Sequence, residues 1–213
     1  MNPSAETDIT WLYLVRHGAT EANERLPYVL QGDAMDLPLS PAGERQARAA
    51  AAFLKAFPIG NVYSSNMLRA RQTAAPIAHE LGIDAATVSE LHECNVGLWE
   101  GLDWQTIRER YPEEHRRFAA DPGETPYLGG ESYGGVLRRT KPVIERLLDA
   151  HAGQRIAIVA HNVVNRAFLA HLLGLDLRLA PKIAQANGCV NLIRRQAGES
   201  QLVTLNAQFH LDV

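Results

Sequence analysis

Two short apolar runs in this chain end in the same way. LYLVRHGAT, Leu12 to Thr20, stops at Arg16, His17 and Gly18; RIAIVAHNV, Arg155 to Val163, stops at His161. An apolar run without polar alternation belongs to a strand covered on both faces, as in a parallel sheet between layers of helix. Ligands of such sheets bind beyond the carboxyl ends of the strands. A histidine at each of two strand tips therefore constrains both the fold and the place where chemistry would sit.

The rest of the chain fits this architecture. Short apolar runs alternate with longer helical patterns, which predicts α/β organisation with a mostly parallel sheet. Trp11 to Val15 reads as the first strand. SPAGERQARAAAAFLKAF reads as a helix, with Ser40 at the N-cap, Pro41 at the first position and Glu44 near the capping-box position. IGNVYSS is a strand. NMLRARQTAAPIAHELG is a helix kinked at Pro76 and closed by Gly82. A short strand is expected around Thr87 to Ser89, helix over Asp103 to Ala120, and a loop over Asp121 to Gly130. YGGVLRRTKPVIERLLDAHAG is helical, RIAIVA is a strand, and VVNRAFLAHLLGL is a helix leaving it at once. Cys189 to Arg194 and Gln201 to Asn206 form a terminal hairpin around QAGES, which allows one antiparallel edge strand.

The 213 residues suit a single domain over 1–213, with 1–9 as a flexible N-terminal tail. A hydrophobic content of 46% supports a core without disulfides or metals, so Cys94 and Cys189, far apart, read as free thiols. With a net charge of -3, no basic footprint for nucleic acid is visible, and an anionic ligand needs a local basic pocket. No segment has the apolar length of a membrane span, and MNPSAETDIT lacks the apolar core of a signal peptide; cytoplasm is the expected compartment.

Arginine is the natural companion for histidines at such a rim, because its planar fork matches phosphate oxygens. Arg16 adjoins His17. Arg69 and Arg71 follow the VYSSN strand end, and periodicity does not choose between them. Gly18 would let the backbone approach a ligand. His161 directly precedes a helix, whose free N–H groups favour an anion. His79, His92, His115, His151, His171 and His210 lack this strand-tip setting. A metal site is not expected: no carboxylate-rich companion set is present, and the arginines would repel a cation.

LVRHGATEAN resembles the Arg-His-Gly signature of the histidine phosphatase superfamily, in its phosphoglycerate mutase-like branch. The resemblance continues in order through QGDAMDLPLSPAGERQA, VYSSNMLRARQTA, LHECNVGLWEG, GGESYGGVLRR and IVAHNVVNR, from Leu12 to Arg166. It implies a three-layer α/β/α sandwich with about six strands. It also implies site roles: His17 as the nucleophile that becomes phosphohistidine, Arg16, Arg69 and His161 as phosphate-binding groups, and Glu93 as the proton donor. Asn23 matches a further phosphate-pocket position, and Gln31 with Gly32 lies near the substrate entrance. Asn162, and with it Thr20, joins the residues expected to meet phosphate or substrate. The incoming phosphate would favour a protonated Glu93 by like charge. His17 would need its other nitrogen fixed on a carbonyl, for which Gly18 is the candidate.

Within this resemblance GLWEGLDW is similar to the phosphatase members, which favours a metal- and cofactor-free phosphatase over a phosphoglycerate mutase. A phospho-ligand sensor with little turnover is the remaining reading, disfavoured by the full set of reactive groups. Departures from the pattern are Ala19, Asn66-Met67 and Asn162-Val163 in place of glutamate, Asp-Leu and Gly-Gly. The Asn162 substitution hints at a sugar or sugar-acid phosphate. Leu26, Pro27, Tyr28, Trp104, Tyr127 and Tyr133 are expected to line the rim. Their few cationic neighbours argue against a second phosphate on the substrate. A small phosphorylated substrate is the expected partner, and the terminal hairpin edge offers a surface for homodimerisation.

Overall fold

The computed structural model describes residues 9–211; the expected tail, apart from Ile9, lies outside the described residues. The strands are β1 (Thr10–Arg16), β2 (Asn61–Ser65), β3 (Ala85–Val88), β4 (Arg155–Ala160), β5 (Val190–Gln196) and β6 (Glu199–Ala207). They form one sheet in the order β3-β2-β4-β1-β5-β6. β1, β2, β3 and β4 pair in parallel, while β5 runs antiparallel to β1 and β6 folds back antiparallel to β5. The reversed strand thus lies one place in from the edge. The helices are α1 (Glu21–Glu24), α2 (Pro41–Leu54), α3 (Leu68–Leu81), α4 (Trp104–Arg110), α5 (Pro112–Ala120), α6 (Tyr133–Ala150) and α7 (Asn162–Leu172).

The two-residue period of the strands divides the core into two halves. Leu12, Leu14, Ile156 and Ile158 point to one face, where they meet Val136, Ile144 and Leu148 of α6 and Val164 and Phe168 of α7. Tyr13, Val15, Ala157 and Val159 point to the other, against Ala50 and Leu54 of α2 and Ala70, Ala74 and Ile77 of α3. Each fully buried Leu or Ile contributes roughly 1.5–3 kcal/mol. Alternating burial to both sides explains why the runs in β1 and β4 are apolar throughout.

Local chemistry sets the element ends. Ser40 caps α2 by accepting from the Gly43 N–H at 3.1 Å, and its hydroxyl donates to Glu24 at 2.7 Å. The expected capping-box partner, Glu44, instead lies 3.6 Å from Arg48. Gly82 closes α3 with φ of 69°, a left-handed conformation that glycine adopts without strain. α3 continues through Pro76. The single helical stretch expected over Asp103 to Ala120 is two helices, because Tyr111 leaves helical geometry at φ -132°, ψ 54°. Pro112 causes this: its ring disfavours a helical residue before it, and it then opens α5. α1 was not anticipated. No described helix is long and apolar enough to cross a membrane, and both cysteines are free and buried.

Candidate active site

β1 and β4 lie side by side with Arg16 opposite Ala160. The next residue in each is a histidine. The His17 N–H donates to the Ala160 carbonyl at 3.0 Å, which extends the ladder by one step. The His17 and His161 rings then stand with centroids 5.1 Å apart. Two histidines 144 positions apart in the chain are brought to one point by strand pairing.

His17 Nδ1 lies 2.7 Å from the Gly18 carbonyl oxygen. That oxygen can only accept, so Nδ1 carries the proton and Nε2 the lone pair. Burial, then the charges of Arg69 and Arg16, hold His17 well below the usual imidazole range. Burial and Arg69 do the same to His161. Both rings are therefore neutral at neutral pH.

Gly18 is needed for a reason other than ligand approach. A Cβ there would lie 2.4 Å from the Gly43 carbonyl oxygen, and a Cβ on Gly43 would lie 1.9 Å from the Ala19 carbonyl oxygen. The paired glycines let the start of α2 touch the His17 loop, backbone to backbone. Thr73 ties the loop to α3, accepting from the Gly18 N–H at 3.0 Å and donating to the Arg69 carbonyl at 2.8 Å.

Arg69 is fully buried, whereas Arg71 is exposed. Arg69 donates to the carbonyls of Met35 (3.0 Å) and Gly32 (2.9 Å) and lies 3.7 Å from Asp36. Arg16 donates to the Gln185 carbonyl at 2.5 Å. Burial lowers the proton affinity of both guanidinium groups. Among the described residues, Arg16 Nε, Arg69 Nε, both His161 nitrogens and Asn162 Oδ1 are buried without a hydrogen-bond partner. Each such atom costs about 1–3 kcal/mol. Their concentration here, with donors in the majority, fits an oxyanion that would accept from them.

Glu93 overturns the expectation of a free helix terminus. Its carboxylate accepts from the N–H groups of Asn162 (2.9 Å), Val163 (3.2 Å) and Cys94 (2.9 Å). The first N–H groups of α7, expected for an external anion, are thus held by a side chain 69 positions earlier in the chain. The same contacts bring Glu93 beside His161.

The remaining expected residues form the surrounding frame. Asn23 Oδ1 accepts from the Thr20 N–H at 3.1 Å, capping α1, and from Asn187 Nδ2 at 3.1 Å. Thr20 is fully buried, and its hydroxyl donates to Gln31 at 2.7 Å. Gly32 supplies the carbonyl that Arg69 grips and lies against Val96. Sequence reasoning missed Gln185 and Asn187. The latter donates to the His17 carbonyl at 3.1 Å. Nothing in the spacing of IAQANG distinguishes them.

A cavity of about 330 Å³ reaches the site through Glu93 and Asn162, the residue after His161; its wall includes Gln31 but neither histidine. Tyr28, Trp104, Tyr127 and Tyr133 line it as expected, joined by Phe118 from α5. Leu26 and Pro27 do not: both are exposed, Leu26 by 96%. Arg166 also lines the cavity, the one Lys or Arg in its wall among the described residues, in keeping with the expectation of few cationic anchors. It follows Asn162 by four residues on α7, the spacing that shares a helix face, and its Nε donates to the Ile183 carbonyl at 2.7 Å. Among the described residues, no three His, Cys, Asp or Glu side chains cluster as metal ligands.

The sequence of residues 12–208 matches the histidine phosphatase superfamily, branch 1. Phosphoserine phosphatase 1 of Hydrogenobacter thermophilus is 32% identical over 200 residues, covering 94% of this chain and 93% of the relative. Among solved structures, mycobacterial glucosyl-3-phosphoglycerate phosphatase superposes with a TM-score of 0.83 at 27% identity, covering 93% of this chain and 99% of the other. A phosphoserine phosphatase mutant from Entamoeba histolytica, in complex with phosphoserine, gives 0.84 at 25% identity, covering 95% and 99%. This chain belongs to the histidine phosphatase superfamily, branch 1, and is a phosphatase of that type.

Proposed function

We propose that the chain hydrolyses small phosphomonoesters without a metal ion, through a phosphohistidine on His17. The observation that carries this reading is the anchored His17 ring, with Nδ1–H held by the Gly18 carbonyl and Nε2 free to attack. Nε2 forms an N–P bond as the ester P–O bond breaks, and Glu93 gives its proton to the departing oxygen. Water then attacks phosphorus, Glu93 takes back a proton, and the N–P bond breaks to release phosphate. Arg16, Arg69 and His161 stabilise charge on the non-bridging oxygens of the transferring phosphoryl group, and electrostatic stabilisation of this kind dominates phosphoryl transfer. Asn23, Thr20 and Gly32 act through the residues they hold.

The leaving group would occupy the cavity beyond Glu93. Aromatic walls suit the flat face of a sugar or carbon chain. Asn162 and Arg166 suit polar or anionic substituents, which favours a sugar or sugar-acid phosphate. The phosphoserine and glucosyl-3-phosphoglycerate in the names of its relatives carry a carboxylate besides phosphate, in agreement with a cation in that wall.

The test is phosphate release from a panel of phosphorylated metabolites in the presence of EDTA, with denaturing quench and mass analysis of the protein. Turnover should survive EDTA. His17→Ala should abolish it, and Glu93→Gln should slow it by about 10² or more while a phosphorylated His17 accumulates. Near-normal turnover by His17→Ala would remove the nucleophile assignment.

A further inference from the structure

Glu93 stands on an irregular segment between short 3-10 turns at Ser89–Leu91 and Gly97–Trp99, so no helix or strand ladder fixes its backbone. Arg139, on α6, does so instead. Its Nη1 donates to the carbonyls of Glu90 (2.6 Å) and His92 (2.9 Å), and its Nη2 to the carbonyl of Glu93 (3.0 Å). The guanidinium is itself oriented by Glu131, through Nε to Oε1 at 2.9 Å and Nη2 to Oε2 at 3.0 Å. Glu131 Oε2 also accepts from the Asn95 N–H at 2.9 Å. One guanidinium thus gathers three carbonyls around Glu93, and its partner carboxylate holds the backbone two residues further on.

We propose that Arg139, clamped by Glu131, is a positioning residue for proton transfer by Glu93. The inference rests on the reading of Glu93 as the proton donor. The Glu93 carboxyl must hold hydrogen-bond reach to the leaving oxygen, and displacements of about 1 Å are worth up to about 10² in rate. The N–H groups of Asn162, Val163 and Cys94 fix the carboxyl end of the side chain; Arg139 fixes the backbone end. Arginine is required because the acceptors are spread across a plane that its fork spans. A lysine ammonium offers its donors from a single atom. GGESYGGVLRR carries both partners, so one loop and helix start supply the clamp for a side chain far away in sequence.

A residue that supports only the fold would lower activity on every substrate alike. A residue that positions the proton donor affects most those esters whose leaving group needs the proton. The experiment compares kcat/KM, which reports transfer to His17, for p-nitrophenyl phosphate and phenyl phosphate. These have similar shapes, but the phenolate of the second is far more basic. Wild type should discriminate weakly and Glu93→Gln strongly. Arg139→Lys should lose about tenfold more on phenyl phosphate than on p-nitrophenyl phosphate. Glu131→Gln should shift the ratio in the same direction by less, and the double variant should be no worse than Arg139→Lys alone, since the two act as one unit. Glu131→Gln keeps the guanidinium and so maintains the test if Arg139→Lys does not fold. Equal losses on both esters in both variants would overturn the positioning role while leaving Glu93 as donor. Equal losses on both esters in Glu93→Gln would instead remove the donor assignment, and the inference with it.

Discussion

At His17 the backbone has almost no freedom. Its N–H is spent on Ala160, its carbonyl accepts from Asn187, and the next residue is pressed against Gly43. Two opposing effects meet at Gly43, which lies in the first turn of α2. Replacing a helical glycine by alanine ordinarily gains about 0.5–1 kcal/mol. Here the new methyl would sit 1.9 Å from the Ala19 carbonyl oxygen, a backbone atom that cannot swing aside. Overpacking of that kind costs about 1–3 kcal/mol, so the clash outweighs the propensity gain. Gly43→Ala should therefore lower the urea midpoint and, by pushing on the His17 loop, lower kcat as well. A variant as stable and active as wild type would show that the loop yields where the geometry says it does not.

At the scale of elements, the segment 183–188 leading into β5 binds the site together. Its Ile183 carbonyl accepts from Arg166, its Gln185 carbonyl accepts from Arg16, and its Gly188 N–H donates to the carbonyls of Arg16 (3.1 Å) and His17 (3.2 Å). The Gln185 side chain anchors the segment inside the protein, accepting from Asn165 (3.2 Å) and Asn191 (2.9 Å) and donating to Asn191 Oδ1 (2.8 Å). Gln185→Leu would leave the buried Asn165 amide without a partner, while Asn191 would keep the Leu14 carbonyl and the Asn206 N–H. It should cost about 1–3 kcal/mol in urea unfolding, against little change for an exposed polar residue such as Gln201. This segment also shows where sequence reading ends. His17 and His161 were legible because an apolar run with a polar tip has a recognisable pattern. Arg69 became legible only through the family likeness, since periodicity alone left Arg71 open. The Gln185 carbonyl carries no side-chain signature, and the Glu93 cap on α7 is a contact across 69 positions that no local rule encodes. The break at Pro112 was, in contrast, available from proline chemistry.

The whole molecule places two neutral imidazoles and two guanidinium groups at the centre of its sheet, and this couples stability to pH. Both histidines are held well below their ordinary value of 6.5, first by burial and then by positive neighbours. In the unfolded chain each takes up a proton as pH falls through about 6.5, while in the native state it does not. The unfolded state then binds more protons, so native stability is intact above that value and falls as the solution is acidified. The slope approaches about 1.4 kcal/mol per pH unit for each histidine. His115 and His210 are lowered too, but each is more weakly buried and adds less. The carboxylates held below their ordinary values, Glu80, Glu113, Asp103 and Asp176 among them, lose their contribution only at lower pH. The interval between about 5 and 7 therefore isolates the histidines. Urea midpoints measured across it should fall steeply with acidification in the wild type. The slope should be shallower in a His17→Asn, His161→Gln double variant, which removes both titrating rings while retaining side chains that can hydrogen-bond. Parallel slopes in the two proteins would mean that the strand-tip imidazoles take up protons in the folded state as readily as in the unfolded chain. The neutral His17 on which attack at phosphorus depends would then be set by the pH of the solution and not by the fold, since an anionic substrate favours the charged imidazole.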